Sequence, residues 1–315
     1  MKKINIIYTL AFMQVLMYST TFAQNVEPVK GEGGKYSFGF ANLYFEVDAS
    51  KGGRICSFQL DKKEILYNSA NMLQSGSTFW PSPQSVWNWP PNAVLDRRSY
   101  ASTILKNELV LTSDTSSVHL QFIKIFSANS KDSSISIKYV MKNTSTTAIS
   151  WAPWEITRVK ASGITFFEKG EGSVTGDMVS NTNEISGIVW YDQNTSTNSM
   201  SIKKFFCDGK GWLAHVTTDN ILFIKNFTDI PLAKAAPAES EIEVYTEPSK
   251  LYTELENQGA YVTLNPKDSV SWQVKWYARK LPERTSVKAG SQELITLTNK
   301  IINGDHKKKS SSLKK

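Results

Sequence analysis

The sequence has few of the residues on which metal-dependent and disulfide-stabilised proteins depend. Its 315 residues include two cysteines and three histidines. Two cysteines cannot make a disulfide-dense scaffold or a four-cysteine zinc site, and the histidines lack the spacing of a multi-histidine metal centre. Phosphate-loop, dinucleotide and G-x-S-x-G signatures are also missing. We therefore predict neither a metal nor a cofactor, while pairing of Cys56 with Cys207 and two free thiols both remain open.

The main body of the chain carries no charge excess. The formal net charge is +7, but Lys2, Lys3 and the five lysines of residues 306–315 account for all of it. A nucleic-acid-binding protein carries its basic patch on the fold itself. We therefore predict no nucleic-acid partner, and we interpret 306–315 as a basic disordered tail, with weak attraction to anionic surfaces as the alternative.

Residues 1–23 have the pattern of a cleavable signal peptide. Two lysines precede the apolar stretch 6–18, and Thr21 and Ala23 fit the cleavage rule for a cut before Gln24. The apolar stretch is shorter than the roughly 20 residues that a transmembrane helix needs. We predict a periplasmic or secreted protein without a membrane span, in which residues 24–34 form a flexible lead-in.

Short β-branched and aromatic runs dominate residues 35–282 and are separated by Gly, Asn, Asp, Ser and Pro. Several runs, such as 134–139 and 269–276, alternate with period two, which is typical of half-buried antiparallel strands. We predict about fifteen strands in one two-sheet, all-β domain. Residues 283–305 form a helical extension, in which Ser291 can cap a helix whose apolar residues repeat at helical spacing and pack outside the sheet.

The most unusual segment is Gly76–Pro91, which contains three tryptophans and four prolines. Because prolines at this density interrupt strand pairing, we predict an ordered loop rather than a strand. Trp80, Trp87 and Trp89 would either form a platform for sugar rings or cover one end of the core, and both roles can hold for different tryptophans. If the tryptophans form a sugar platform, the polar side chain of Gln84 could make hydrogen bonds to the sugar hydroxyls.

A second segment, 151–158, places a carboxyl among bulky apolar residues. Along a strand, Trp154 and Arg158 share one face, while Glu155 and Thr157 share the other. Glu155 could have a raised pKa and transfer protons, or it could simply pair with a basic residue.

In a third segment, 251–259, Tyr252, Glu254 and Glu256 share one strand face. Carboxylates two residues apart on a strand lie about 7 Å from each other. This spacing suits either acid/base chemistry or a solvated surface. His215 and Lys225 come from neighbouring predicted strands, and His215 is either structural or the acid that such chemistry needs.

These segments together resemble the galactose-mutarotase-like supersandwich superfamily and, more closely, the exported family known as domain of unknown function 4380. The resemblance covers about residues 35–282 and depends on these runs: 52–66, 76–91, 152–158, 208–215, 222–225, 252–261 and 272–277. It implies two large curved antiparallel sheets, in which one concave face binds sugar. Mutarotases pair a catalytic His with a Glu. The similarity places Glu256 at the late Glu, whereas the mutarotase His-Pro-Tyr-Phe motif is missing.

We therefore predict an exported carbohydrate-active protein that acts near a sugar anomeric centre. Glu256 would be the base, His215 or Glu155 the acid, and Arg158 and Lys225 would polarise a substrate oxygen. The sugar would be bound by Trp80, Gln84, Trp87, Trp89, Lys225, Tyr252 and Glu254. The alternatives are a non-catalytic carbohydrate-binding protein and a structural module of an envelope complex. A hollow filled by side chains would count against both sugar hypotheses.

Overall fold

The computed structural model describes residues 25–69, 72–193 and 203–304, so the predicted signal peptide and the basic tail lie outside the described residues. The described residues contain 23 strands and two α-helices, which confirms the predicted all-β class. The first twelve strands are β1 (Asn25–Val26), β2 (Val29–Lys30), β3 (Lys35–Phe40), β4 (Leu43–Asp48), β5 (Arg54–Leu60), β6 (Lys63–Glu64), β7 (Ser77–Ser82), β8 (Ala101–Leu105), β9 (Glu108–Thr112), β10 (Leu120–Asn129), β11 (Ser134–Asn143) and β12 (Ile149–Lys160).

The remaining strands are β13 (Ile164–Glu168), β14 (Thr175–Gly176), β15 (Thr182–Ile185), β16 (Ile188–Asp192), β17 (Lys203–Cys207), β18 (Trp212–Val216), β19 (Ile221–Phe227), β20 (Ile242–Thr246), β21 (Tyr252–Gln258), β22 (Val262–Leu264) and β23 (Ser269–Lys280). The helices are α1 (Ala93–Asp96) and α2 (Gln292–Asn303).

Two large antiparallel sheets contain all the strands of the described residues. The eleven-stranded sheet has the order β15-β16-β13-β18-β19-β23-β11-β10-β9-β8, with β1 beside β10. The twelve-stranded sheet has the order β14-β17-β20-β21-β12-β7-β5-β4-β3-β2, with β22 beside β12 and β6 beside β5. This is the supersandwich that the resemblance implied.

Aromatic side chains from both sheets meet in the core between them. Phe45 and Phe58 of the twelve-stranded sheet contact Trp276 of the other sheet, with ring centroids 6.0 and 5.5 Å apart. Phe223 lies 5.7 Å from Phe58 and 5.0 Å from Trp276. These residues are almost fully buried. Burying an aromatic ring of this size contributes roughly 2–3 kcal/mol, so this contact holds the two sheets together.

Residues 25–30, at the start of the described chain, form two short edge strands, β1 and β2. Asn25 and Val26 pair with Asn129 and Ala128 of β10, and β2 pairs with β3. An unpaired sheet edge offers backbone donors and acceptors, and a neighbouring segment of the chain can take them. Edge pairing of this kind leaves little signal in the sequence, because it needs only backbone groups.

The prediction of a loop over Gly76–Pro91 is wrong for its first half, where Ser77–Ser82 forms β7. This strand pairs along its length with β12, and Pro81 faces Pro153. On its other side β7 pairs with β5 only through Ser77. Pro81 therefore lies where one side of the strand is free, so its missing N–H leaves no ladder bond unmade. The second half of the segment is irregular, as predicted.

The C-terminal helix forms where the sequence predicted it. The Ser291 hydroxyl accepts a hydrogen bond from the Leu294 N–H, which caps α2, and Leu294 and Thr298 are buried. Neither helix of the described ranges has the length and apolar character needed to cross a membrane. Of the two alternatives left open for the cysteines, the structure has two free thiols at Cys56 and Cys207.

Candidate functional site

Alternate residues of five neighbouring strands form the face of the twelve-stranded sheet that points away from the other sheet. The orientation follows from β12, where the Tyr139 hydroxyl of the opposite sheet donates to Glu155 across the core at 2.7 Å. Residues of the other parity on β12 therefore point outward. The cross-strand register aligns them with residues of β7, β21, β20 and β17. We call this set the outer face: Thr78, Trp80, Trp154, Ile156, Arg158, Lys204, Glu243, Tyr245, Tyr252, Glu254, Glu256 and Gln258.

Four tryptophans cluster at one end of the outer face. Trp80 is the centre, and its ring lies edge-on to Trp87, Trp89 and Trp154 with centroids 5.6–5.8 Å apart. Its indole N–H donates to Asp96 Oδ1 at 2.8 Å. Trp80 is 3% exposed, whereas Trp89 is 50% exposed. Trp80 is thus a packing residue, and Trp89 is the ring that offers a free face to a ligand.

Two carboxyl groups converge on one lysine in the middle of the outer face. Lys204 Nζ lies 3.0 Å from Glu256 Oε2 and also contacts Glu243 Oε2. The side chain of Gln258 donates to the other oxygen of Glu243 at 2.8 Å. Lys204 Nζ also lies 5.2 Å from the ring of Trp154, a cation–π distance. The convergence brings Glu256 within reach of a second titratable group, as acid/base chemistry requires.

A second ion pair lies beside the first. Arg158 Nη2 is 2.8 Å from Glu254 Oε1, and the Arg158 guanidinium lies 5.4 Å from the ring of Trp80. Arg158 is fully buried, and Glu254 keeps 14% of its side chain exposed. The predicted residues Trp80, Arg158, Glu254 and Glu256 therefore lie on one face of the sheet, where all but Glu254 are buried. The predicted Gln84 lies at its rim, where its backbone N–H donates to Glu239 at 2.9 Å.

Burial makes two glutamates of this region, Glu239 and Glu256, hold their protons more strongly than free glutamates do. Burial raises the pKa of Glu256 well above its usual range, although the Lys204 charge opposes the rise. Burial, followed by repulsion from Glu243, raises the pKa of Glu239 to about 8. Burial lowers the pKa of Lys204, but Glu256 and Glu243 more than reverse this effect and raise it. Glu239 and Glu256 therefore retain a proton more readily than free carboxyl groups do, while Glu256 and Lys204 favour each other's charged form.

Several polar atoms of the outer face are buried without a hydrogen-bond partner in the described protein. Buried polar groups are usually paired, because an unpaired one costs about 1–3 kcal/mol. Some of these atoms still touch an opposite charge, but without hydrogen-bond geometry, as Arg158 does with Glu254. A polar ligand could complete such groups on this face, but the described residues also have unpaired buried atoms elsewhere, as at Asn257 on the opposite side of the sheet. The atoms are Trp154 Nε1, Arg158 Nε and Nη2, Glu243 Oε2, Glu256 Oε1 and Gln258 Oε1.

Two predicted site residues, Glu155 and Lys225, lie on the opposite side of the sheet. Lys225 Nζ is 3.0 Å from Glu155 Oε1, and neither side chain is exposed. Trp276 also donates to Glu155, and Lys225 donates to the Leu255 carbonyl. The sheet itself separates this pair from Glu256. The bland alternative for Glu155, a pair with a basic residue, is the arrangement found.

His215 is also remote from the outer face. It belongs to β18 of the eleven-stranded sheet, where Nδ1 lies 3.0 Å from the Thr165 hydroxyl. Burial lowers its pKa to about 3, so the ring is neutral at physiological pH. The structure therefore does not place His215 where it can donate a proton to a substrate held by Glu256. The structural alternative for this histidine fits its surroundings.

Sequence analysis missed the residues that complete the carboxyl set. Glu243 stands between Ile242 and Val244, and an acid inside an apolar strand is a signal that could have been read. Lys204 is a second charged residue in an apolar strand, because two phenylalanines follow it. Glu239 and Asp96 lie in irregular segments and a short helix, where no local pattern marks them. Across the described ranges, no group of three His, Cys, Asp or Glu side chains is arranged to hold a metal ion.

The sequence matches the family called domain of unknown function DUF4380 over residues 82–279, which is more than half of the chain. The chain belongs to this family. The matched range includes the outer-face residues from Trp154 to Gln258 and ends within β23. No curated protein matches the sequence at a significant level.

Solved structures with the same fold are galactose mutarotase-like. One, a galactose mutarotase-like protein from Lactobacillus casei, has a TM-score of 0.56 at 7% identity, covering 78% of this chain and 100% of that chain. Another from Clostridium acetobutylicum has a TM-score of 0.52 at 11% identity, covering 78% and 95%. A galactose mutarotase related enzyme from Lactobacillus acidophilus has a TM-score of 0.51 at 7% identity, covering 81% and 99%. At these low identities the likeness establishes only the fold. The names of these neighbours refer to galactose mutarotases.

Proposed function

We propose that this protein is a carbohydrate-active protein whose outer face acts on a sugar near its anomeric centre. The observation that carries the proposal is the convergence of Glu243 and Glu256 on Lys204 beside Trp154. Tryptophan faces suit the apolar C–H faces of a pyranose, and the unpaired donors and acceptors nearby suit its hydroxyls. The galactose mutarotase-like fold of the neighbours supports the same class of ligand.

The chemistry that this arrangement suits is reversible opening of a hemiacetal ring. A base removes the proton of the anomeric hydroxyl, an acid protonates the ring oxygen, and the bond between C1 and the ring oxygen breaks to leave an aldehyde. The reverse steps on the other carbonyl face give the opposite anomer. In this proposal Glu256 acts as the base in its charged form, which contact with Lys204 favours against the effect of burial. Glu239, which burial keeps protonated at neutral pH, replaces His215 and Glu155 as the acid. Glu239 is half-buried and reaches solvent, as an acid that meets a substrate must.

The test is anomeric exchange measured by two-dimensional NMR on glucose, galactose, mannose and xylose. We expect wild-type protein to accelerate the exchange of at least one sugar, and Glu256→Gln to lower that rate by about 10²–10⁴-fold. Glu168→Gln is the matched control, because Glu168 is an exposed glutamate of the eleven-stranded sheet. Equal exchange with wild type, Glu256→Gln and no protein would refute catalysis.

A non-catalytic carbohydrate-binding role is the second candidate, and burial favours it. Glu256 is 1% exposed and Glu243 is fully buried, so a sugar that touches Trp89 need not reach either carboxyl. Measuring both sugar binding and anomeric exchange distinguishes the two roles. Binding that persists in Glu256→Gln, with no exchange by wild type, supports the binder, whereas exchange by wild type supports the enzyme.

We further propose that the protein works after export, because residues 1–23 have the signal-peptide pattern. The mass of the protein purified from its natural cell would then correspond to a chain beginning at Gln24. A cytoplasmic protein that retains residues 1–23 would contradict this proposal.

A further inference from the structure

A second aromatic group lies at the end of the outer face that is remote from the tryptophans. The rings of Tyr67 and Tyr252 are stacked, with centroids 5.2 Å apart and planes at 29°. The ring of Tyr245 lies 6.4 Å from Tyr252. The Tyr67 N–H donates to the Arg158 carbonyl at 2.8 Å, which fixes this loop residue against β12. Tyr252 is buried, but Tyr67 keeps part of its ring at the surface.

Beside this pair is a cavity of about 520 Å³. Its lining includes Leu66, Tyr67 and Leu251 together with the charged residues Glu64, Lys160 and Lys250. Leu251 is 55% exposed, which is unusual for a leucine next to a buried tyrosine. The cavity therefore has apolar walls, with two lysines and one glutamate among its lining residues. A flat ring that carries hydroxyls around its rim suits such walls.

The cavity lies at the end of β12 that is opposite to the tryptophan cluster. Lys160 pairs with Tyr252, and Trp154 pairs with Gln258, so the two ends of the face are six residues apart on β12. At roughly 3.3 Å per residue the separation is about 20 Å. The pair of Arg158 and Glu254 lies between them. This distance is several times the width of one sugar ring, and aromatic side chains mark both of its ends.

The charges of the outer face select against acidic sugars. Both cations of the outer face already contact carboxyl groups, Arg158 that of Glu254 and Lys204 those of Glu243 and Glu256. A uronic acid or sulfated sugar would bring negative charge to a buried face whose cations are already paired with carboxyl groups. A neutral sugar carries no such penalty.

We propose that the ligand is a neutral oligosaccharide, whose one end lies at the tryptophan cluster and whose remote units bind against Tyr67, Tyr252 and Leu251. The inference rests on the proposed function and extends it from a single sugar to a chain of several units. Tyr67 and Leu251 then act as binding residues for the remote units and have no role in proton transfer.

The test measures Kd by calorimetry for neutral gluco-, galacto-, manno- and xylo-oligosaccharides of one to six units, with galacturonic acid oligomers as the acidic comparison. We expect affinity for one neutral series to rise at least tenfold between one and four units. Tyr67→Ala should abolish that rise and leave the Kd of the single sugar unchanged. The matched control is Tyr44→Ala, a half-buried tyrosine of β4 in the same sheet. Leu251→Ser, at an exposed position, gives a second variant that tests the same cavity without unpacking a ring.

The outcomes separate this inference from the proposed function. Binding that is equal at all lengths, or a Tyr67→Ala defect that is as large for the single sugar, overturns the extended site alone. Preference for the galacturonic acid oligomers overturns the neutral class. Failure of every sugar at every length overturns both the inference and the proposed function.

Discussion

The two faces of one sheet carry two buried ion-pair networks that differ in how completely they are paired. On the inner face, the Glu155 carboxylate meets Lys225 and accepts from Tyr139 and Trp276, so both of its oxygens have partners. On the outer face, Glu256 Oε1 and Glu243 Oε2 lack a hydrogen-bond partner in the described protein. Both networks are buried, but Glu256 Oε1 of the outer network has neither a hydrogen bond nor the Lys204 contact, whereas both oxygens of Glu155 are paired.

This difference separates a structural role from a ligand-binding one. A buried charge network that is fully satisfied rigidifies a core, whereas one that is partly satisfied costs free energy that only another binding partner can recover. The inner network is the satisfied one. Burial lowers the pKa of Lys225, but the neighbouring Glu155 charge opposes this effect and so favours the charged lysine. The outer network is only partly satisfied. Its cost is consistent with retention for function rather than for stability.

The largest expected effect is loss of stability when the inner network is broken. Glu155→Ala leaves the Lys225 ammonium buried without its counter-charge, which should lower the free energy of unfolding by about 3–5 kcal/mol. Urea denaturation followed by tryptophan fluorescence measures the change. The double variant with methionine at both Glu155 and Lys225 should recover most of this loss, since it removes both charges and fills the space. A loss below about 1 kcal/mol for Glu155→Ala would mean that the inner pair is not a structural element.

A smaller effect should come from protonation in the outer network. Burial and Glu243 raise the pKa of Glu239 to about 8 from a usual value of 4.5. Between these values the folded protein holds a proton that the unfolded chain releases, so stability falls as the pH rises through this window and then levels off. Glu239→Gln removes this dependence. Because Glu239 is partly exposed, we expect wild type to lose only about 1–2 kcal/mol relative to the variant between pH 5 and pH 8.

Urea denaturation at pH 5, 6.5 and 8 measures this difference, and Glu168→Gln is the control. The raised pKa values of Glu241 and Glu256 are common to all three proteins and therefore cancel in the comparison. Parallel pH profiles for wild type and Glu239→Gln would show that Glu239 titrates normally. The outer carboxyl set would then lack the acid that the proposed chemistry needs.

The strand faces could be predicted from sequence, but the neighbours of each strand could not. Period-two alternation correctly separated Arg158 from Glu155 and grouped Tyr252 with Glu254 and Glu256. Alternation is local, however, and does not say which sheet a strand joins. His215 was therefore interpreted as a site residue although β18 belongs to the other sheet. Lys204 reaches Glu256 only because β17, β20 and β21 pair in that order, and those contacts connect residues 52 positions apart.

The prolines of β7 show a second limit of the sequence. Proline density correctly indicated that regular pairing is interrupted, but it did not show that the interruption affects one side of a strand only. Pro81 pairs through β12 while its other side is free. The prediction of a loop therefore hid the fact that Trp80 is a strand residue aligned with Trp154, and that it packs rather than stacks on a ligand.

The smallest effect on stability, and the sharpest contrast between the two faces, should come from Trp89. This ring is 50% exposed and touches the cluster through one edge-on contact with Trp80 at 5.8 Å. Trp89→Ala should therefore lower the free energy of unfolding by less than about 1 kcal/mol. If Trp89 stacks on a sugar, the same change should weaken binding by about tenfold, since one aromatic stacking contact contributes roughly 1 kcal/mol beyond its buried area.

Trp87→Ala is the informative partner for this measurement, because the Trp87 indole N–H donates to the Pro81 carbonyl at 2.9 Å and the ring packs against the core. Its loss should cost more stability than that of Trp89. For both variants, calorimetric titration with the sugar that binds most tightly measures the change in Kd, and urea denaturation measures the change in the free energy of unfolding. A Trp89→Ala protein that binds within twofold of wild type would remove the exposed tryptophan from the site. The unpaired atoms of the outer face would then have to be explained by a ligand that does not stack.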